Sequence, residues 1–116
     1  MEARAVSRYN RQSARKMRLV IDLIRGRGVN EAYAILQYSK KRAAEQIDKT
    51  LRSAVANARQ KAELTGEFVD VDELYVKQAY VNEGPRLKRW RAAAMGRAAP
   101  IRRPTSHIVI VVDRKE

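Results

Sequence analysis

The chain has 116 residues, 25 Lys and Arg against 13 Asp and Glu, a formal net charge of +12 and no cysteine, so a single domain over 1–116 with a modest core is expected. Disulfide stapling and thiolate metal ligation are excluded, and no unbroken apolar run exceeds five residues, as in Ile108–Val112, far below the roughly 20 that a membrane-spanning helix needs. The amino terminus, Met1-Glu2-Ala3-Arg4, has no apolar signal core, which sets the expectation of the cytosol or an equivalent reducing compartment.

In chain order, Ala3, Ala5, Ser7 and Tyr9 alternate with Glu2, Arg4, Val6 and Arg8, the period of a strand with one charged face. From Ser13 to Arg25, Met17, Val20, Ile21 and Ile24 fall at i, i+3, i+4 and i+7, which predicts an amphipathic helix with Ser13 as N-cap and Gly26 as its stop. Arg11, Arg15, Arg18 and Arg25 lie on a separate stripe of that helix, suited to phosphate contact. A second helix is expected from Asn30 to about Tyr38, burying Ala32, Ile35 and Leu36 and carrying no basic residue. A third follows from Ala44, Ile47, Leu51, Ala54, Val55, Ala58 and Ala62, ended at Thr65-Gly66. Its alanine-rich stripe predicts close approach to a neighbour, and Glu45 with Lys49 and Asp48 with Arg52 are spaced as i,i+4 pairs. Leu74 to Val81 reads as a strand, with Leu74, Val76 and Tyr80 on one phase and Tyr75, Ala79 and Val81 on the other, so its register is open. Ile108–Val112 reads as a strand buried on both faces or central in a sheet. The order β, three helices, β, β predicts an α+β fold: three helices packed on a small antiparallel three-stranded sheet, with a long protruding β-hairpin.

The hairpin is expected because Gly84 to His107, 24 residues with seven Arg or Lys and no acid, is too long for an ordinary loop and has no composition for a core. Paired as two arms turning near Arg91 to Ala94, it would project roughly 30 Å at about 3.3 Å per residue. The alternative is an unordered basic loop, against which Gly84, Pro85, Gly96, Pro100 and Pro104 stand as residues that set backbone angles at defined points. The body is then 1–83 with 105–116, and the hairpin 84–104. Charge is unevenly distributed: residues 1–28 sum to +6, 29–61 to +4, 62–83 to −5, 84–107 to +7 and the last nine to zero. Such a two-faced molecule suits a polyanion, either nucleic acid or an anionic membrane surface, on one side only.

Ser13-Ala14-Arg15-Lys16-Met17-Arg18-Leu19-Val20, Ile24-Arg25-Gly26, Ala32 to Leu36, Gly84-Pro85-Arg86-Leu87-Lys88-Arg89, Gly96-Arg97-Ala98 and Thr105-Ser106-His107-Ile108 closely resemble the family of ribosomal protein twenty-two of the large subunit, in the right order along most of the chain. The resemblance implies a small α+β body on the outside of the large subunit and a hairpin that penetrates its ribosomal RNA. It implies a hairpin tip lining the peptide exit tunnel, near the extension of ribosomal protein four of the large subunit and in contact with the nascent peptide. It also implies roles in early subunit assembly and macrolide sensitivity. Ala14 stands where the family usually has proline, and Pro104 where it is often basic; the second departure removes one phosphate contact near Arg102 and Arg103.

The expected RNA-contacting residues are Arg8, Arg11, Arg15, Lys16, Arg18 and Arg25 on the body, and Arg86, Lys88, Arg89, Arg91, Arg97, Arg102 and Arg103 on the arm. Trp90 is placed to stack on a base or to pack within the hairpin, and Ser106 and His107 at the arm's base. Arg89, Trp90, Arg91, Ala92, Ala93 and Ala94 form the expected tunnel-lining tip. An enzyme reading has no Cys, a single His and no phosphate loop to build on. His107 alone makes neither a triad nor a zinc site, and it is expected to donate a hydrogen bond at the start of the last strand or to meet an RNA phosphate. Glu63, Glu67, Asp70, Asp72 and Glu73 lack the glycine and terminal Glu of a calcium loop and read as a solvent-facing patch, so no metal or cofactor is expected. The chief alternative is a DNA-binding protein, because the helices joined across Gly26-Arg27-Gly28 look like a helix-turn-helix. Its second helix, with Glu31 and no cation, is a weak groove reader. Membrane binding would need apolar residues exposed opposite the basic stripe, and those present are better used in a core.

Overall fold

The computed structural model describes residues 2–92 and 94–114, without the side chains of Ala94 and Ile101. Its elements are β1 (Glu2–Asn10), α1 (Ala14–Ile21), α2 (Val29–Tyr38), α3 (Ala43–Leu64), β2 (Leu74–Glu83), β3 (Leu87–Ala92), β4 (Ala98–Arg103) and β5 (Ser106–Arg114), with single 3-10 turns at Val71–Glu73 and Ala94–Gly96. β1, β5 and β2 form an antiparallel sheet in that order, and β3 pairs with β4 as a separate ribbon. The expected α+β architecture is present.

The central position of β5 explains its unbroken apolar run. Ile108, Ile110 and Val112 join the core beneath the helices, while Val109 and Val111, on the other face, are also buried. On β1, Ala3 and Ala5 are buried and Arg4, Val6 and Arg8 point outward, the charged face read from the alternation. β2 resolves its two-phase pattern with a bulge between Val76 and Gln78. One extra residue flips the phase, so Leu74 and Val76 before it and Ala79 and Val81 after it all reach the core.

Ser13 accepts from Lys16 N and caps α1 as expected, but the helix ends at Ile21, earlier than the predicted Arg25. The chain then winds in tighter turns, Leu23 N to Val20 O and Ile24 N to Ile21 O, that still bury Ile24. The cause is competition from the sheet: Gly26 N donates to Val76 O and Val76 N to Arg27 O, with Gly26 in the left-handed region at φ 78°. α3 is the longest element, and its buried stripe of Ala44, Ile47, Leu51, Ala54, Val55, Ala58 and Ala62 is the one the periodicity predicts. Small residues there let the helix lie close over β1 and β5. Of the expected pairs on its outer face, Asp48 meets Arg52 at 2.9 Å.

Both edges of the small sheet are covered, which matters because an open strand edge invites another chain to pair with it. On the β1 edge, Asn57 Nδ2 donates to Arg4 O at 2.9 Å and Lys61 Nζ to Glu2 O at 2.7 Å, both from α3. On the β2 edge, Arg18 Nε and Nη2 donate to Val81 O at 3.1 and 2.9 Å, and Arg25 Nε and Nη2 to Ala79 O at 3.0 and 2.7 Å. Arg25 also pairs with Asp22 at 2.8 Å.

Two outcomes follow from this packing. Replacing Arg18 or Arg25 with Met, which keeps the aliphatic stem, lowers body stability by about 1 kcal/mol each, because water only partly replaces a lost hydrogen bond at an edge; urea unfolding measures it. None of the described residues from Lys88 to Arg97 belongs to the core, so deleting this segment leaves a cooperative body whose stability changes by less than about 1 kcal/mol in the same measurement.

Candidate nucleic-acid interface

The ribbon is the part of the chain with no interior. Leu87 is half-buried, every other residue of β3 is exposed, and Trp90 and Met95 are 69% and 96% exposed. Its register pairs Leu87 with Arg103, Lys88 with Arg102, Arg89 with Ile101, Trp90 with Pro100, Arg91 with Ala99 and Ala92 with Ala98. Lys88 and Arg102 are therefore like charges directly opposite one another, an arrangement that weakens a strand pair in water. Alternation places Arg89, Arg91 and Arg103 on one face and Lys88 and Arg102 on the other, so the ribbon is cationic on both sides.

The turn lies further along than the sequence suggested. Ala92 still pairs with Ala98, and the chain reverses through Ala94–Gly96, where Met95 and Gly96 take φ of 62° and 72°. Arg89, Trp90, Arg91 and Ala92 are thus strand residues of β3, not the tip. The positive φ at Met95 and Gly96 decides where the turn falls. Ala93, also assigned to the tip, lies outside the described residues, and Ala94 opens the turn.

Body and ribbon enclose a groove of about 1190 Å³. The start of α1 contributes Arg11 and Lys16, the link between α2 and α3 contributes Lys41 and Arg42, and the ribbon contributes Arg89, Arg91 and Arg103, with Leu19, Leu87 and Trp90 among the other lining residues and no acidic side chain among the described residues. Lys41 and Arg42 were not among the residues singled out from the sequence. The run Lys40-Lys41-Arg42 was visible there, but only the fold brings it opposite the ribbon. Arg8 and Arg15 are exposed outside the groove, as are Arg86, Lys88, Arg97 and Arg102.

Four other expected contacts have different surroundings. Arg18 and Arg25 spend their donors on the carbonyls of β2. Ser106, grouped with the RNA-contacting residues, is fully buried and its hydroxyl donates to Met17 Sδ at 2.9 Å, so it offers no surface to a ligand. His107 is half-buried and accepts at Nδ1 from Tyr9 N at 3.1 Å, with the Tyr9 ring set edge-on against it; that bond belongs to the start of β5, with His107 as acceptor.

The acidic residues Glu63, Glu67, Asp70, Asp72 and Glu73 are all exposed, and Asp70 is engaged in capping Asp72 N. The exposed side of α2 carries Asn30, Glu31, Ala34, Gln37 and Tyr38, with Glu31 paired to Arg27 at 2.9 Å. A helix of that composition has nothing to attract a phosphate or read a guanine edge.

The profile of the family described as Ribosomal protein L22p/L17e matches residues 5–113. Among similar curated proteins, Large ribosomal subunit protein uL22 of Halothermothrix orenii is 53% identical over 116 residues, covering 100% of this chain and 98% of that protein. The protein of the same name from Bifidobacterium longum is 51% identical over 100% of this chain and 98% of its own length. That from Clostridium acetobutylicum is 48% identical with both chains fully covered. Together with the α+β body, the bare cationic ribbon and the groove beside it, these matches lead to one conclusion: the chain belongs to the Ribosomal protein L22p/L17e family.

Proposed function

We propose that the protein is a non-enzymatic structural constituent of the large ribosomal subunit, located on the ribosome in the cytoplasm, that binds large-subunit ribosomal RNA by charge neutralisation and shape. One observation carries the reading: seven cations from three separate parts of the chain line a single groove that, among the described residues, has no acid and continues onto a ribbon without buried side chains. Phosphates in the groove and around the ribbon cancel the repulsion among those cations, and Trp90, exposed on the ribbon, offers a stacking surface to an unpaired base. The acidic residues of 62–83 are exposed, and none of them lines the groove.

The names of the relatives support the subunit. The family supports assignment of the ribbon's tip to the wall of the peptide exit tunnel, beside ribosomal protein four of the large subunit and the nascent peptide, and a part for the protein in subunit assembly. Its RNA-contacting residues are Arg11, Lys16, Lys41 and Arg42 in the groove, with Arg8 and Arg15 beside it, and Arg86, Lys88, Arg89, Arg91, Arg97, Arg102 and Arg103 along the ribbon.

Binding to large-subunit RNA fragments weakens steeply with salt. For about ten neutralised phosphates the log–log slope is about −9 on duplex and about −7 on single strands; a slope near zero in filter binding contradicts the proposal. Lys41→Glu with Arg42→Glu removes about two units of that slope and leaves the unfolding midpoint in place. At the tip, Met95→Trp leaves the sedimentation of assembled subunits unchanged and alters nascent-peptide passage, read as stalling in a translation extract; unaltered translation contradicts the tip assignment.

A further inference from the structure

The ladder that joins β2 to β5 and the ladder that joins β3 to β4 belong to one ribbon, interrupted between Glu83 and Leu87 on one strand and between Arg103 and Ser106 on the other. Pro85 and Pro104 fall inside that interruption, and neither has an N–H to donate. A ribbon cut in this way bends freely unless something else holds it. Here the break is filled. Gly84 N donates to Thr105 O at 2.9 Å, and Thr105 Oγ1 donates to Pro85 O at 2.5 Å. Thr105 is 3% exposed.

Gly84 does not have a positive φ, so its backbone is open to any residue and only space demands glycine. A Cβ there would lie 2.5 Å from Thr105 Oγ1, 3.1 Å from His107 Nε2 and 3.3 Å from His107 Cε1. His107 is itself pinned from behind by Tyr9, through the bond to Nδ1 and an edge-on ring contact at 4.9 Å. Tyr9 is held at φ 57°, at the point where β1 loses register with β5. Asn10 Nδ2 then fastens that end of β1 to Ser106 O at 3.2 Å and to Ser7 O at 3.1 Å. A strained non-glycine backbone in a close-packed cluster persists only where its surroundings over-determine it.

We propose that Tyr9, Gly84, Thr105 and His107 form a lock at the root of the ribbon that fixes the direction in which it leaves the body, with Gly84 and Thr105 as the positioning residues. The lock presents groove and ribbon to RNA as one surface in the free protein. It goes beyond the RNA-binding proposal and does not depend on it, because it is tested without RNA.

The chain has no cysteine, so Gln60→Cys on α3 and Lys88→Cys on β3, both exposed positions, accept spin labels cleanly in the full chain. Pulsed electron–electron resonance on the RNA-free protein then gives a narrow label-to-label distance distribution. Gly84→Ala moves or broadens it with far-UV circular dichroism and unfolding midpoint retained, and Thr105→Ala, which removes the hydroxyl that donates to Pro85 O, broadens it as well. His107→Phe keeps a ring against Tyr9 but removes the acceptor for Tyr9 N; it broadens the distribution independently and decides the matter if Gly84→Ala does not fold. A native distribution already as broad as those of the variants, or one unchanged in both Gly84→Ala and His107→Phe, overturns the lock.

Discussion

Repulsion among cations on a ribbon with no interior is the constraint around which this molecule is arranged. Residues 84–107 carry seven positive groups and no negative one, Lys88 faces Arg102 across the strand pair, and two strands alone are marginal in water even without such charges. What the ribbon lacks in packing, a surrounding polyanion supplies as attraction to each cation. The long axis of 66 Å against 28 and 16 Å measures the result: a molecule far from spherical, with much of its charge carried where it has no core of its own.

The body makes that extension possible by being conventional where the ribbon is not. β2 and β5 pair side by side in the sheet and run on, past the break at Gly84 and Thr105, as β3 and β4, so one antiparallel ribbon has an inner half with a hydrophobic core and an outer half without one. The inner half carries the hydrophobic core on one face. Helices cover one face, Val109 and Val111 are buried on the other, and side chains from α1, the turn that follows it and α3 bond two carbonyls on each sheet edge. Arginines consequently serve two purposes in this chain. Arg18 and Arg25 hold the sheet edge, whereas Arg11, Arg89, Arg91 and Arg103 meet across open space in the groove.

The elements whose periodicity is set by burial were legible in the sequence. The alanine and aliphatic stripe of α3, the Ser13 cap, the central strand Ile108–Val112 and the charged face of β1 all reappear, because each is written in the local order of residues: a helical or strand period, a capping side chain or an unbroken apolar run. What the sequence withheld depends on contacts between distant residues. The end of α1 is set by the hydrogen bonds from Gly26 N to Val76 O and from Val76 N to Arg27 O, and the phase of β2 by a bulge that no pattern of residues announces. In the candidate site, the exposed arginines of the ribbon were legible from composition, but the roles of Arg18, Arg25 and Ser106 were not, since a side chain's partner is a tertiary fact. Lys41 and Arg42 were overlooked for the same reason: as a short basic run they resemble any solvated link, and only the fold sets them against Arg89 and Arg91.

The most direct measurement of the central claim is amide hydrogen exchange along β3 and β4, compared between the free protein and the protein assembled with large-subunit RNA. Local stability without burial is low, so the ribbon amides of the free protein exchange far faster than those of β5, and assembly slows them by orders of magnitude while leaving β5 unchanged. Ribbon amides as well protected as β5 in the free protein, and indifferent to RNA, contradict the account.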